Sequence, residues 1–283
     1  MRFLYACDIH GDKNKYSKLL EVAVNEKIKN MVWGGDLLPK RGGPRETIQP
    51  EFIDNYLDDY FGKLKENNIE CIFIMGNDDL ENFDDKIENL CKKHSNIHNI
   101  DRSKFEIDGI SFIGLSNVLD NPFRYKNRVL MEDGLEMEEQ LSPEIYINKG
   151  TNIITVEEWR KYRETSVDKM KDVLASLPKI SDKKNTIFVF HAPPYGIGLD
   201  ECQVGYKAGS KDMANYIKNS GAYMSLHGHI HESPDVSGIW ESKLGDTICI
   251  QPGQTELGEE KMMYMIIDTE KNKRERFLSK LDL

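Results

Sequence analysis

The chain has 283 residues, 39% of them hydrophobic and 30% charged, enough to bury one large core or two modest ones. Its formal net charge of −10 opposes broad attraction to a phosphate backbone, so extended nucleic acid is a poor expectation. Five cysteines, an odd number with no metal-type pairing, argue against a disulfide framework; with a strand opening at residue 2 or 3 and no membrane-spanning apolar stretch, a cytoplasmic, membrane-free protein is expected.

In chain order, the apolar run Phe3 to Cys7 leads into Asp8-Ile9-His10-Gly11-Asp12, and Met31 to Trp33 into Gly34-Gly35-Asp36. A glycine- and proline-broken loop follows, carrying Lys40, Arg41 and Arg45. Phe52, Ile53, Tyr56, Leu57, Tyr60, Phe61 and Leu64 recur at helical spacing. Cys71 to Met75 then empties into Gly76-Asn77-Asp78-Asp79. A charged helix ends near Lys93, and His94 and His98 beyond it read as surface residues. After a strand at Ile110 to Leu115 comes the least readable segment, 117 to about 154, either a lid with Phe123, Tyr125 and Tyr146 free to stack on a base or a solvated insertion. A helix starts at Thr155, with Glu158 in capping-box position, and runs through Trp159, Tyr162, Met170, Val173 and Leu177 to Pro178. Thr186 to Phe190 leads to His191-Ala192-Pro193-Pro194, Ser210 caps a helix carrying Met213, Tyr216 and Ile217, and Ala222 to His227 leads to Gly228-His229-Ile230-His231. Strands at 247–250, 262–267 and 277–281 are expected to join 110–115 in a second sheet.

Five strand ends thus carry Asp8, His10, Asp36, Asn77, His191, His229 and His231, and loops beyond strand ends are where ligand sites form in α/β proteins. Taken singly, His191 could be a hydrogen-bonded structural histidine and Asp36 a turn cap; the ordered set favours ligation. Mixed carboxylate and imidazole donors suit manganese, iron or zinc, and residues two apart, as in Asp8 with His10 or His229 with His231, point the same way. Asp36 is the candidate bridge between two cations, which about 3.5–4 Å apart can hold a hydroxide and clamp a phosphoryl group. His227 lies outside this pattern and reads as support or packing, and Asp12 as a turn residue.

The motifs D-x-H, G-D, G-N-x-D, a lone H and G-H-x-H, standing here as Asp8-Ile9-His10, Gly35-Asp36, Gly76-Asn77-Asp78-Asp79, His191 and Gly228-His229-Ile230-His231, resemble those of calcineurin-like metallophosphoesterases. The stretch His191 to Gly196, Gly209-Ser210, and Gln251-Pro252-Gly253 resembles the small prokaryotic branch. The resemblance implies an α/β fold of two facing mixed sheets flanked by helices, a four-layer α/β/β/α sandwich, forming one catalytic domain over 1–283 with an insertion or lid at about 117–154. It implies two divalent or trivalent ions (Mn, Fe or Zn), one held by Asp8, His10, Asp36 and His231, the other by Asp36, Asn77, His191 and His229. It implies phosphoester hydrolysis, with a nucleotide or other small phosphodiester as the expected substrate and a phosphomonoesterase, a nuclease or a non-catalytic scaffold as alternatives. Asn77 and Asp78 occupy the catalytic positions, but Asp78 replaces the family's histidine, and an aspartate is a poor acid at neutral pH, so activated diesters are expected to turn over better than alkyl monoesters. Lys40 or Arg41 corresponds to the phosphate-binding arginine of related protein phosphatases, and Ser210, at a helix start, is a further candidate contact.

Overall fold

The computed structural model describes residues 1–147, 152–203, 205–255 and 259–281. In chain order the first four strands are β1 (Arg2–Ala6), β2 (Asn30–Gly34), β3 (Glu70–Ile74) and β4 (Ile97–Asn99). Then come β5 (Lys104–Ile107), β6 (Ile110–Leu115), the short β7 (Val118–Leu119) and β8 (Val129–Leu130), β9 (Glu144–Ile147) and β10 (Asn152–Thr155). The rest are β11 (Thr186–Phe190), β12 (Met224–Leu226), β13 (Glu241–Leu244), β14 (Thr247–Ile250), β15 (Lys261–Asp268) and β16 (Lys273–Lys280). One six-stranded sheet has the order β16-β15-β1-β2-β3-β4, the other β13-β14-β12-β11-β6-β5, and both mix parallel and antiparallel pairs.

Side-chain alternation builds the layers. Phe3 and Tyr5 face one way, with Val32, Ile72 and Ile74, and meet Phe112, Val189 and Leu226 of the other sheet in a core between the sheets. Leu4 and Ala6 face the other way, with Trp33 and Phe73, and are covered by helices α1 (Lys13–Asn25), α2 (Arg45–Phe52), α3 (Asp58–Glu66) and α4 (Asp84–Lys93). On the far side, Phe188 and Phe190 pack under α5 (Val156–Ser166), α6 (Met170–Ser176) and α7 (Lys211–Ser220). The result is the expected four-layer α/β/β/α arrangement, and no helix among the described residues is long and apolar enough to cross a membrane.

Four expectations need correction. Strands 262–267 and 277–281 do not join the second sheet: β15 pairs antiparallel with β1, Phe3 opposite Ile267, and β16 pairs with β15. The second sheet's edge beside β14 is taken by β13, a polar strand with no strong apolar alternation. The helix from Thr155 has its capping box, but it breaks after Ser166. Extended backbone at Val167 and Lys169 lets Asp168 and Met170 exchange hydrogen bonds with Met131 (2.9 and 2.8 Å), and this bridge replaces helical pairing before α6. His94 is buried and its Nε2 lies 2.6 Å from Asp58 Oδ1, while His98 stacks on Phe105 at 3.8 Å, so neither is a plain surface residue. The helix around Phe52 begins earlier than its apolar stripe, at Arg45, and passes through a π-turn at Ile53–Leu57 just after Pro50, a residue that has no backbone N–H to donate.

The first part of the 117–154 segment, 117–132, is buried apart from 122–125; the rest is largely half-buried or exposed, and 148–151 lie outside the described residues. Val118, Leu119, Val129 and Leu130 are buried where β7 pairs with β8. Asp120 receives Lys126 and Arg163, each at 3.0 Å, and all three are buried.

Candidate metal centre

Because β1, β2 and β3 are parallel neighbours, their carboxyl ends lie side by side, and those of β11 and β12 lie opposite in the other sheet. The ladder continues past the strands: Asp8, His10 and Gly11 donate to the carbonyls of Gly35, Asp36 and Leu37 at 2.8 to 2.9 Å. Asp8, His10, Asp36 and His229 all hold left-handed backbone, with φ of 56, 51, 54 and 72°. Such conformations cost about 1–3 kcal/mol each for non-glycine residues and persist only where surrounding bonds enforce them.

Asp8, His10, Asp36 and His231 bring one ligand atom each within 4.8 Å of one another. His10 Nε2 and His231 Nε2 are 3.0 Å apart, and His231 Nε2 is 3.5 Å from Asp8 Oδ1. At that spacing both nitrogens could reach one shared ion at ordinary metal–nitrogen distances of about 2.0–2.1 Å. Asp36 also faces the second group: His191 Nε2 is 3.5 Å from Asp36 Oδ2 and 3.1 Å from Asn77 Oδ1, and the His191 and His229 rings are 5.3 Å apart. His191 Nδ1 is tied to Gly34 O at 2.7 Å, which fixes the ring and leaves Nε2 for the centre. Asp8 Oδ2 is buried with no hydrogen-bond partner, as an oxygen shaped to receive a cation would be.

The electrostatics agree with a cation site. Burial alone would raise the Asp8 and Asp36 carboxyls, but His231 beside Asp8 and His191 beside Asp36 outweigh it and hold both below the usual range. Burial pulls the His229 imidazole down to about 3 and His10 well down, keeping both neutral, the state a ligand needs. Burial also opposes a charge on His191, yet Asp36 and then Asp8 push it up to about 9, so positive charge is favoured at that position.

Lys40 reaches the group, its Nζ 2.8 Å from His10 Nε2 and 3.5 Å from Asp78 Oδ2. Arg41 is exposed on the same loop, and it is Arg45 that touches Asp78, Nη1 to Oδ1 at 2.9 Å, under the ring of Tyr125 at 4.9 Å. Ser210 is elsewhere engaged: its hydroxyl accepts from Met213 N–H and donates to Glu132, whose carboxylate also accepts the Lys211 and Asp212 N–H groups. The chain's own carboxylate therefore fills that helix start. His227 is buried, with Nδ1 against the carbonyls of Phe190 and Ala192 around His191, and Asp12 caps α1.

Sequence reasoning passed over two supports. Asp79 is buried and accepts from Leu37, Leu38 and Gly76 N–H groups (2.7 to 3.0 Å), clamping the Asp36 and Asn77 loops together. Gln49 does the same further out, bonding Pro39 O, Asp78 O and Leu80 N. The acidic doublet after Asn77 was a signal for Asp79; nothing local marked Gln49.

With that geometry in view, a family model described as calcineurin-like phosphoesterase matches residues 1–233, and the chain belongs to that family. Over 178 residues it is 27% identical to the uncharacterized protein MJ1162 of Methanocaldococcus jannaschii, an alignment covering 62% of this chain and 59% of that protein. Among solved structures, TT1561 of Thermus thermophilus aligns with a TM-score of 0.57 at 18% identity, covering 98% of this chain and 97% of that one. Another crystal structure aligns at 0.60 and 18% identity over 99% of both chains. These two likenesses are of fold.

Proposed function

We propose that this protein is a phosphoester hydrolase dependent on two metal ions (Mn, Fe or Zn), and that it prefers a small phosphodiester, such as a nucleotide, to a monoester. The observation that carries the reading is the convergence of Asp8, His10, Asp36 and His231, with Asn77 and His191 against the same Asp36. A bound pair of ions would supply an activated water and charge neutralisation for the phosphoryl group. Asp8, His10, Asp36 and His231 would hold one, and Asp36, Asn77, His191 and His229 the other.

The residues around this core do the rest. Lys40 and Arg45 present two cations at the mouth, where the non-reacting oxygens of a phosphoryl group would lie. Asp78 forms ion pairs with both, so it serves as their anchor, and no histidine stands there to protonate a departing alkoxide. Esters whose leaving group needs no proton are therefore favoured. A cytoplasmic location is proposed with it.

The test is manganese-dependent hydrolysis of bis(p-nitrophenyl) phosphate beside p-nitrophenyl phosphate and an alkyl phosphate. The diester should be cleaved fastest and the alkyl monoester slowest. Cleavage of the alkyl monoester faster than the aryl diester would refute the preference, and metal-independent rates would refute the mechanism.

A further inference from the structure

A cavity of about 300 Å³ ends at His229 and is walled by the 117–147 segment on one side and by the stretch around Tyr206 on the other. Among the described residues, three aromatic side chains are exposed, Phe123, Tyr195 and Tyr206, and two of them, Phe123 (49%) and Tyr206 (39%), line this cavity. Neither ring packs against another aromatic ring of the protein among the described residues. Exposed rings on the wall of a cavity are faces kept for a flat apolar partner.

The polar lining narrows the partner further. Asn121 is 7% exposed and lines the cavity; its Oδ1 accepts the Phe123 N–H at 3.1 Å, but its Nδ2 is buried with no partner. A buried, unspent amide donor is costly unless a ligand acceptor meets it. Beside it stands the half-buried Glu138, a carboxylate acceptor that also takes the Tyr206 hydroxyl. A ring with a carbonyl or ring nitrogen for Asn121 and an amino group for Glu138 uses all four groups. An alkyl chain would waste the polar pair, and a bare sugar the two rings.

We propose that this cavity is the subsite for a nucleobase, so that the substrate is a phosphoester carrying a nucleoside, with its phosphate directed at the centre beyond His229. The proposal rests on reading that centre as phosphoester-hydrolysing. About 300 Å³ is at the lower limit for ligand pockets, which suits one nucleoside and not a polymer.

The test is calorimetric binding of adenosine, cytidine, guanosine and uridine 5′-monophosphates to the manganese-loaded full chain, with ribose 5-phosphate as reference. At least one nucleotide should bind tenfold or more tightly than ribose 5-phosphate, and Phe123→Ala should narrow that gap about tenfold, the usual weight of one base-stacking contact. Asn121→Ala should narrow it as well. Equal affinity for ribose 5-phosphate and all four nucleotides, or a gap unchanged in Phe123→Ala, overturns the subsite. Diester hydrolysis without base-dependent binding would sink the subsite alone; base-dependent binding without any hydrolysis would support it and sink the hydrolytic reading.

Discussion

At the residue scale, the centre is held together by backbone that non-glycine residues avoid. Asp8, His10 and Asp36 are held in left-handed conformations by loop-to-loop hydrogen bonds and the Asp79 carboxylate, and the His229 N–H donates to Asp8 Oδ1. Asp79→Ala leaves three buried N–H groups without a partner, each worth about 1–3 kcal/mol, so the variant should lose on the order of 3 kcal/mol or more in urea unfolding. A loss within the scatter of surface substitutions would show that the loops hold themselves. The seven candidate donors stand out in the sequence because each is of a donor type and follows a strand end. Arg45 was not singled out, since a loop arginine carries no local sign that it will reach Asp78 from the first turn of α2.

At the element scale, the 117–147 segment is tied into the fold by charge as well as by apolar packing. Asp120 is the shared partner of Lys126 and Arg163, and Trp159 Nε1 donates to it at 3.2 Å. Asp120→Ala strands two buried cations and should cost about 3–5 kcal/mol, measured as a shift in denaturant midpoint. A cost below about 1 kcal/mol would mean that the triad contributes no more than a surface pair. This segment defeated sequence reading because its first two strands, β7 and β8, are two residues each and its order comes from long-range pairs. The break between α5 and α6 was hidden for the same reason: the competing bond partner, Met131, is far away in sequence.

Helix α1 offers a pH test. Burial pulls the Lys15 ammonium from 10.5 down to about 8, and its Nζ donates to Thr255 O at 2.9 Å. Below pH 8 both the folded and unfolded chains carry this proton, and folding bears the full cost of burying the charge. Between about 8 and 10.5 the unfolded chain binds more protons, so this contribution to stability rises with pH. Wild type should therefore gain on Lys15→Met in urea midpoint between about pH 7.5 and about pH 10. A difference between them that stays constant over that range contradicts a buried ammonium.

At the scale of the whole molecule, the unbroken apolar runs of β1, β2 and β3 made buried strands legible, because each strand serves two cores at once. Which sheet β15 and β16 join was not legible, since a strand that is apolar on both faces, as β15 is, fits either sheet and only the free edge of β1 decides. The two sheets matter to function through their facing carboxyl ends: one brings Asp8, His10, Asp36 and Asn77, the other His191, His229 and His231. The central claim is that this meeting makes one centre for two ions around Asp36. Its most direct test is titration of the metal-stripped protein with manganese, read by calorimetry and by electron paramagnetic resonance. Two ions per chain are expected in wild type with a spin-coupled signal, and loss of the coupling in Asp36→Ala. One ion per chain, or two uncoupled ions unaffected by Asp36→Ala, would contradict it.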